Sequence, residues 1–287
     1  MLRRLGQPTS YPRLNAAIFG KLALNNKLPA SPDNPAENFN QVQAALKEAL
    51  TFRQGFRRFA AGETLDTGQY WLRDENGAAE SLADQVEKAM VSALLKQPGS
   101  TLAALDRLMC QAFPGLLTPE PELVHACLDS YAVQQPPESG AWVLRPEDAP
   151  TARRTDLENM RLQVSQLGLR LGFILNEGTP LLWQDQRGQV HFVFYPIVSA
   201  VIGALLSGTL PEEQITPIIV LPGGRSNLVA YKLKRNPRLA QLSQSWLFVK
   251  ARHLRLLLES STINPDNLKE LIEQDPLTYA APQMRLL

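Results

Sequence analysis

Apolar residues recur every three or four positions through most of the first 170 residues, a spacing that predicts helices with one buried face. In the first 80 residues this spacing predicts helices over 11–24 and 39–50, with a shorter third helix over 55–61. A loop rich in Pro and Asn separates the first two. Residues 69–72 contain adjacent aromatic side chains, which are typical of a short strand.

Three further helices are predicted between residues 81 and 131. Each starts at a residue type that commonly caps a helix, namely Ser81, Thr101 and Thr118. A strand over 141–144 follows. Three short helices followed by a strand is the order of a winged-helix domain. The alternative is an unrelated set of short helices.

Strand-like and helix-like segments alternate after residue 151, behind a long amphipathic helix predicted over 152–171. The predicted strands lie over 180–185, 190–195, 217–221 and 246–250, and the predicted helices over 197–206, 226–235, 253–258 and 266–274. This alternation predicts an α/β sandwich. We therefore expect a mixed α/β protein with a helical N-terminal segment (residues 1–80), a winged-helix-like middle segment (81–150) and an α/β C-terminal segment (151–287).

Composition favours a folded protein without membrane contact. Hydrophobic residues make up 44% of the chain, which is enough for substantial cores. No apolar run approaches the roughly 20 residues that a membrane-spanning helix needs, and the N-terminus lacks the apolar stretch of a secretory signal. The only cysteines, Cys110 and Cys127, indicate reduced thiols. These features predict a cytoplasmic location.

Charge is distributed unevenly, although the net charge is only +1. The N-terminal segment carries +2, the middle segment carries −5 with 9 acidic and 4 basic residues, and the C-terminal segment carries +4. Eight basic residues of the last segment are candidate contacts for a DNA backbone: Arg225, Lys232, Lys234, Arg235, Arg238, Lys250, Arg252 and Arg255. The alternative is a solvated helix face without a ligand.

Signals for catalysis and cofactor binding are weak. The three histidines and two cysteines are scattered, which predicts no metal site, and no serine has the neighbours of a nucleophile elbow. Gly223-Gly224-Arg225 forms either a phosphate-binding helix start or a tight turn. The third middle helix carries Glu120, Glu122 and Asp129, which would repel DNA and favour a protein partner. We assign no catalytic residue and no cofactor.

The C-terminal segment resembles restriction-endonuclease-like domains of the PD-(D/E)xK class. The resemblance rests on a helix followed by Leu-Leu-Trp-Gln-Asp-Gln-Arg-Gly, then Val-Phe-Tyr, Leu-Pro-Gly-Gly-Arg-Ser and Trp-Leu-Phe-Val-Lys. It places Leu181 or Leu182 at the position of the metal-binding Asp, and Tyr195 and Ile197 near the Glu and its partner. A metal-dependent nuclease needs carboxylates there. The resemblance therefore implies the fold without its usual chemistry.

A wider set of motifs resembles the C-terminal accessory region of large prokaryotic DNA-methylase-like proteins, some of which are tied to phage defence. The motifs are FPGLLTPEPE at 113–122, LRPED at 144–148 and LGLRLGF at 167–173. The methylases' Asn-Pro-Pro-Tyr or Asp-Pro-Pro-Tyr loop is absent from the sequence. The resemblance implies a non-catalytic DNA-binding or scaffolding component that assembles with a larger protein, such as a methylase or helicase.

Two other functions stay open on the residues alone. A divergent nuclease would need migrated metal ligands, for which Asp185 and Glu177 are the nearest acids, although both have the setting of turn or loop residues. A protein-interaction module without DNA contact would suit the acidic middle segment.

Overall fold

The computed structural model describes residues 1–28, 35–51, 55–60, 62–208 and 215–278. The N-terminal segment contains α1 (Leu2–Leu5), β1 (Thr9–Ser10), α2 (Tyr11–Leu24), α3 (Pro35–Thr51), β2 (Phe56–Phe59) and β3 (Gln69–Leu72). Its three strands form an antiparallel sheet of order β1-β3-β2. The helices predicted over 11–24 and 39–50 are confirmed as α2 and α3.

The middle segment contains three helices and a small antiparallel sheet. Its elements are α4 (Leu82–Lys96), β4 (Ser100–Thr101), α5 (Leu102–Ala112), α6 (Pro121–Tyr131), β5 (Ala132–Gln134) and β6 (Ala141–Leu144). The sheet has the order β4-β6-β5. Ser81 and Thr101 cap α4 and α5 as predicted, because their side chains accept hydrogen bonds from backbone amides of the first turn. Glu120, not Thr118, precedes α6.

The C-terminal segment is built on a five-stranded mixed sheet. Its elements are α7 (Pro150–Arg170), β7 (Ile174–Asn176), β8 (Leu181–Gln184), β9 (Val190–Pro196), α8 (Gly203–Leu206), β10 (Thr216–Leu221), α9 (Ser226–Arg235), α10 (Pro237–Leu242), β11 (Leu247–Lys250), α11 (Ala251–Glu259) and α12 (Leu268–Glu273). The strand order is β11-β10-β9-β8-β7. Strands β7, β8 and β9 form an antiparallel meander, whereas β9, β10 and β11 are parallel. The parallel strands therefore end together at one side of the sheet, which we call the carboxyl edge.

The five-stranded sheet separates two apolar cores. Side chains alternate between the two faces of a strand. Ile218 and Val220 of β10 accordingly join a core with α7, α11 and α12, whereas Ile219 and Leu221 join a second core with α4, α6 and α9. The second core continues into the N-terminal segment. The middle segment is therefore packed against one face of the sheet, through α9.

The mixed α/β architecture is confirmed, but two predicted helices are wrong. Residues 56–59 pair with β3 as a strand instead of forming a helix. The apolar run 197–206 is helical only in α8. The amide of Ala200, before α8, donates to Glu87, and the amide of Gly203, the first residue of α8, donates to Asp84. The helix predicted over 266–274 is confirmed as the shorter α12. None of the helices in the described residues is both long enough and apolar enough to cross a membrane.

Gly168 allows α7 to approach the sheet closely. A Cβ atom at this position would lie 2.6 Å from Cε2 of the buried Trp183 and 2.7 Å from Cδ2 of Leu175. We expect Gly168→Ala to lower the free energy of unfolding by about 1–3 kcal/mol through overpacking. The control is Gly20→Ala in α2, where no atom lies within 4 Å of the added Cβ and stability should rise by about 0.5–1 kcal/mol. If urea denaturation shows the same change in the free energy of unfolding for both variants, the close approach of α7 to the sheet at Gly168 is contradicted.

Candidate functional site

The positions that the resemblance assigns to metal ligands lie at the carboxyl edge and are apolar. Leu181, at the start of β8, pairs with Phe194 near the end of β9, and both side chains are buried. The half-buried ring of Tyr195 lies 5.2 Å from the ring of Trp246. Ile197 packs against the second core. These side chains offer no carboxylate to a divalent cation.

The two acids considered as migrated ligands do not form a metal site. Asp185 lies in the β8–β9 turn, on the opposite side of the sheet, where Oδ1 accepts hydrogen bonds from the amides of Arg187 (2.8 Å) and Gln189 (2.9 Å). Its Oδ2 lies 3.3 Å from Nε2 of His191. The Gln189 amide, followed by His191 and the Arg187 amide, holds the pKa of Asp185 below its ordinary value. Glu177 is exposed in a loop, and the described residues contain no metal-holding group of three or more His, Cys, Asp or Glu.

Lys232 is buried in the protein interior and not on the predicted DNA-binding surface. Its side chain is 0% exposed, and Nζ donates to Asp84 (2.5 Å), to Glu87 and to the carbonyl of Ala200 (2.9 Å). All three ammonium hydrogens are therefore used. Burial disfavours the charged form, but Glu87 and Asp84 outweigh it and raise the pKa of Lys232. The surface assignment of Lys232 was wrong, because α9 presents this residue to α4.

The two carboxylates around Lys232 also accept hydrogen bonds from other groups. Glu87 accepts a hydrogen bond from the hydroxyl of Tyr131, and Asp84 accepts one from the amide of Gly203 at 2.9 Å. These donors offset the second negative charge, which Lys232 alone does not neutralise. We call Asp84, Glu87 and Lys232 the buried triad. It joins the middle segment to the C-terminal segment.

Arg225 is a second predicted DNA contact that lies in the interior. Its side chain is 4% exposed and forms an ion pair with Asp148, which is 3% exposed. It also donates to the carbonyl and, at 2.9 Å, to the hydroxyl of Ser130. The guanidinium carbon lies 3.6 Å from the centroid of the Tyr131 ring. Together with Lys232, Arg225 pairs with three buried acids of the middle segment, so opposite charges of the two segments meet inside the molecule.

Lys250 and Arg238 are also engaged in intramolecular contacts. The buried Lys250 places Nζ 2.8 Å from Asp275. Arg238 is 13% exposed, and its Nε donates to Glu75 at 2.9 Å. Its guanidinium carbon also lies 5.8 Å from the ring of Trp71. Arg238 therefore ties α10 to the N-terminal segment, and Lys250 is absent from the surface.

The four remaining candidates are exposed but lie at two different places. Arg252 and Arg255 belong to α11, which begins at the carboxyl edge directly after β11. Lys234 and Arg235 end α9, which starts at the carboxyl edge and runs back for 10 residues, or about 15 Å. Parallel neighbouring strands require such a return. The eight candidate DNA contacts therefore do not lie on one surface.

A cleft lies at the carboxyl edge between α7 and α11, with a volume of about 260 Å³. Its polar lining is Asp156, Asn159 and Gln163 of α7 together with Arg252 and Arg255 of α11. A smaller space of about 90 Å³ shares Asp156 and adds Arg145, Glu147 and Arg153. Within the described residues, Gln163 Oε1 and Arg153 Nε are buried without a hydrogen-bond partner. We call the combined space the carboxyl-edge cleft.

The side chains of the carboxyl-edge cleft can bind phosphate groups. Arg145, Arg153, Arg252 and Arg255 lie around the cleft with Asp156 and Glu147, while Asp148 pairs with Arg225. Arg252 also lies 3.4 Å from Asp275, and Arg145 donates to the carbonyl of Asp129 at 2.7 Å. Planar guanidinium groups match phosphate oxygens through paired hydrogen bonds. Gly223 and Gly224 form a tight turn beside the cleft.

The acidic helix α6 is not placed to read a DNA groove. It packs against α4 and α9 and buries Leu123, Val124, Cys127 and Leu128. Its exposed positions include Glu122, His125 and Asp129. A DNA backbone would therefore meet net negative charge on this helix.

Sequence reasoning did not single out Arg145, Arg153, Asn159 or Gln163. A signal was present for α7, because residues 156, 159 and 163 are spaced to share one face and all are polar. Their proximity to α11 depends on the tertiary fold. Comparison of the chain with protein-family models, curated proteins and solved structures finds no match.

Proposed function

We propose that the protein is a non-catalytic component of a prokaryotic DNA modification or defence assembly, and that it binds a DNA backbone at the carboxyl-edge cleft. The observation that carries the proposal is the chemistry of this edge. Apolar side chains such as Leu181 lie at the positions that the resemblance assigns to metal ligands, while arginines of α7 and α11 and of the residues before α7 surround the cleft.

The topology of the C-terminal segment supports this location. An antiparallel meander followed by two parallel strands is compatible with the restriction-endonuclease-like class that the sequence motifs resemble. Ligands of open α/β sheets bind outside the carboxyl ends of the strands. The cleft lies at those ends.

The middle segment supports contact with a protein. Its element order α4-β4-α5-α6-β5-β6 and its sheet order are compatible with a winged-helix unit. Its groove-reading helix would be α6, which is acidic and packed against α9. We therefore assign this segment to a larger protein partner, such as a methylase or helicase, and the cleft to DNA.

We expect duplex DNA to bind with an affinity that falls steeply as salt rises, and this binding to depend on Arg252 and Arg255. If each contacts one phosphate, the double substitution Arg252→Ala with Arg255→Ala should lower the slope of log K against log salt by about 2. The affinity should fall on the order of tenfold at low salt. Fluorescence anisotropy of a labelled duplex measures both quantities.

The matched control removes two exposed arginines elsewhere, through Arg107→Ala on α5 with Arg187→Ala in the β8–β9 turn. Its net charge equals that of the test variant, so a general charge effect would weaken both alike. If the test and control variants lose the same DNA affinity, or if the wild type binds no DNA at low salt, the carboxyl-edge cleft is not the DNA-binding site.

A further inference from the structure

A separate cavity of about 280 Å³ lies where α6 and α9 meet the N-terminal segment. It adjoins the end of α9, whereas the carboxyl-edge cleft adjoins the start of that helix. Its lining includes Arg13, Leu82, Glu120, Tyr231, Arg235 and Asn236. We call it the junction cavity.

Asn236 lines the junction cavity and has an unused buried donor. The residue is 4% exposed. Its Oδ1 caps α10 by accepting hydrogen bonds from the amides of Arg238 (3.1 Å) and Leu239 (3.2 Å). These two bonds fix the orientation of the carboxamide. Its Nδ2 consequently has no hydrogen-bond partner within the described residues, and a ligand acceptor would satisfy it.

The mouth of the junction cavity carries excess positive charge. Arg13 and Arg235 share a single carboxylate, Glu120, at 3.5 and 3.7 Å. Both distances are long for charge-assisted hydrogen bonds, and the side chain of Arg235 is 53% exposed. Arg13 is held in place by hydrogen bonds to the carbonyls of Leu116 (3.2 Å) and Thr118 (2.6 Å). Lys232 also lines the cavity, but Asp84 and Glu87 of the buried triad more than balance its charge. The mouth therefore favours an anionic group.

The walls of the junction cavity suit a planar group. Leu82 and Leu239 are buried, and Tyr231 adds a half-buried aromatic ring. Gln69 donates its Nε2 to the carbonyl of Arg235 at 3.3 Å, which leaves Oε1 as an acceptor. With Asn236, the lining thus offers a donor and an acceptor, as hydrogen bonding to a base edge requires. The volume lies near the lower limit of small-molecule sites, roughly 300 Å³, which suits a single nucleotide.

We propose that the junction cavity binds a nucleoside monophosphate. The base lies against Tyr231 and the leucines and accepts a hydrogen bond from Asn236, and the phosphate lies at Arg13 and Arg235. An inorganic phosphate ion would leave the apolar walls uncovered. This site is separate from the carboxyl-edge cleft and does not depend on DNA binding there.

Isothermal titration calorimetry of the full chain with AMP, GMP, CMP and UMP tests the site, with inorganic phosphate as reference. We expect at least one nucleotide to bind more than about tenfold tighter than phosphate. Asn236→Asp keeps the Oδ1 cap of α10 but replaces the donor with an acceptor, and it should weaken binding by at least about tenfold. Arg235→Gln should also weaken it, whereas Lys234→Gln, at an exposed neighbour outside the lining, should not.

No binding of any nucleotide at about 5 mM, or binding that is unchanged in both Asn236→Asp and Arg235→Gln, would overturn the proposal. Binding restricted to 5′-phosphorylated oligonucleotides would overturn it too, because the cavity would then hold a strand end. If Asn236→Asp does not fold, the nucleotide affinities of Arg235→Gln and Lys234→Gln are compared instead. Equal affinities of these two variants would then overturn the proposal.

Discussion

Lys232→Met is expected to lower the free energy of unfolding by about 3–5 kcal/mol, because it leaves two buried carboxylates without a counterion. Methionine has a similar length to lysine, so the loss of packing is small. Urea denaturation followed by circular dichroism measures the effect. The control, Lys234→Met, alters an exposed residue of the same helix and should change stability by less than about 0.5 kcal/mol.

A combined variant separates charge from packing in the buried triad. Asp84→Asn and Glu87→Gln, added to Lys232→Met, remove the uncompensated charges while preserving side-chain size. We expect this triple variant to be more stable than Lys232→Met alone. If it is equally unstable or less stable, the unpaired charge is not the cause of the loss.

Arg225→Lys is expected to lower the free energy of unfolding by about 2–3 kcal/mol although it keeps the positive charge. Lysine cannot reproduce the planar group that lies on Tyr131 while donating to Asp148 and Ser130. Thermal and urea denaturation measure the loss. Arg187→Lys, in the exposed β8–β9 turn, is the control and should be neutral. If Arg225→Lys is also neutral, a positive charge alone is enough for stability at this position and the planar guanidinium group is not needed.

The local elements of this fold were largely predictable, because their signals are local. Ser81 and Thr101 mark the starts of α4 and α5 through side-chain caps, and apolar spacing located α7. The exceptions depend on distant partners. Residues 56–59 form a strand because β3 lies beside them. The apolar run after β9 is helical only in α8, and the amide of Ala200 before it donates to Glu87 of α4.

The charged residues were harder to place from the sequence. The opposite net charges of the middle and C-terminal segments suggested a basic surface, yet Lys232 and Arg225 pair with the acids of α4 and with Asp148. The sequence did contain a partial signal for these internal ion pairs. Asp84 and Glu87 are three residues apart on α4, and Glu87 shares a face with Met90, which lies three residues further on; all three are buried. Charged residues among apolar ones on a buried helix face indicate an internal partner, but only the tertiary fold identifies that partner as Lys232.

The candidate site was predicted only in part for the same reason. The absence of metal-binding acids on β8 and β9 could be read from residue identities at Leu181 and Tyr195. The sequence could not show that two pairs of basic residues lie apart, namely Arg252 with Arg255 and Lys234 with Arg235. Their separation depends on the parallel pairing of β10 with β11. That pairing requires α9 to run back to the opposite side of the sheet.

A combined binding and cleavage reaction tests the central claim, that the carboxyl edge binds DNA without cutting it. Supercoiled plasmid is incubated with excess protein at about 50 mM salt and with Mg²⁺ or Mn²⁺, and each sample is divided between a native gel and a gel run after deproteinisation. We expect retarded plasmid on the native gel and intact supercoiled plasmid after deproteinisation. Plasmid that is cut by the wild type but not by Asp185→Ala or Glu177→Ala, or plasmid that is never retarded, would contradict it.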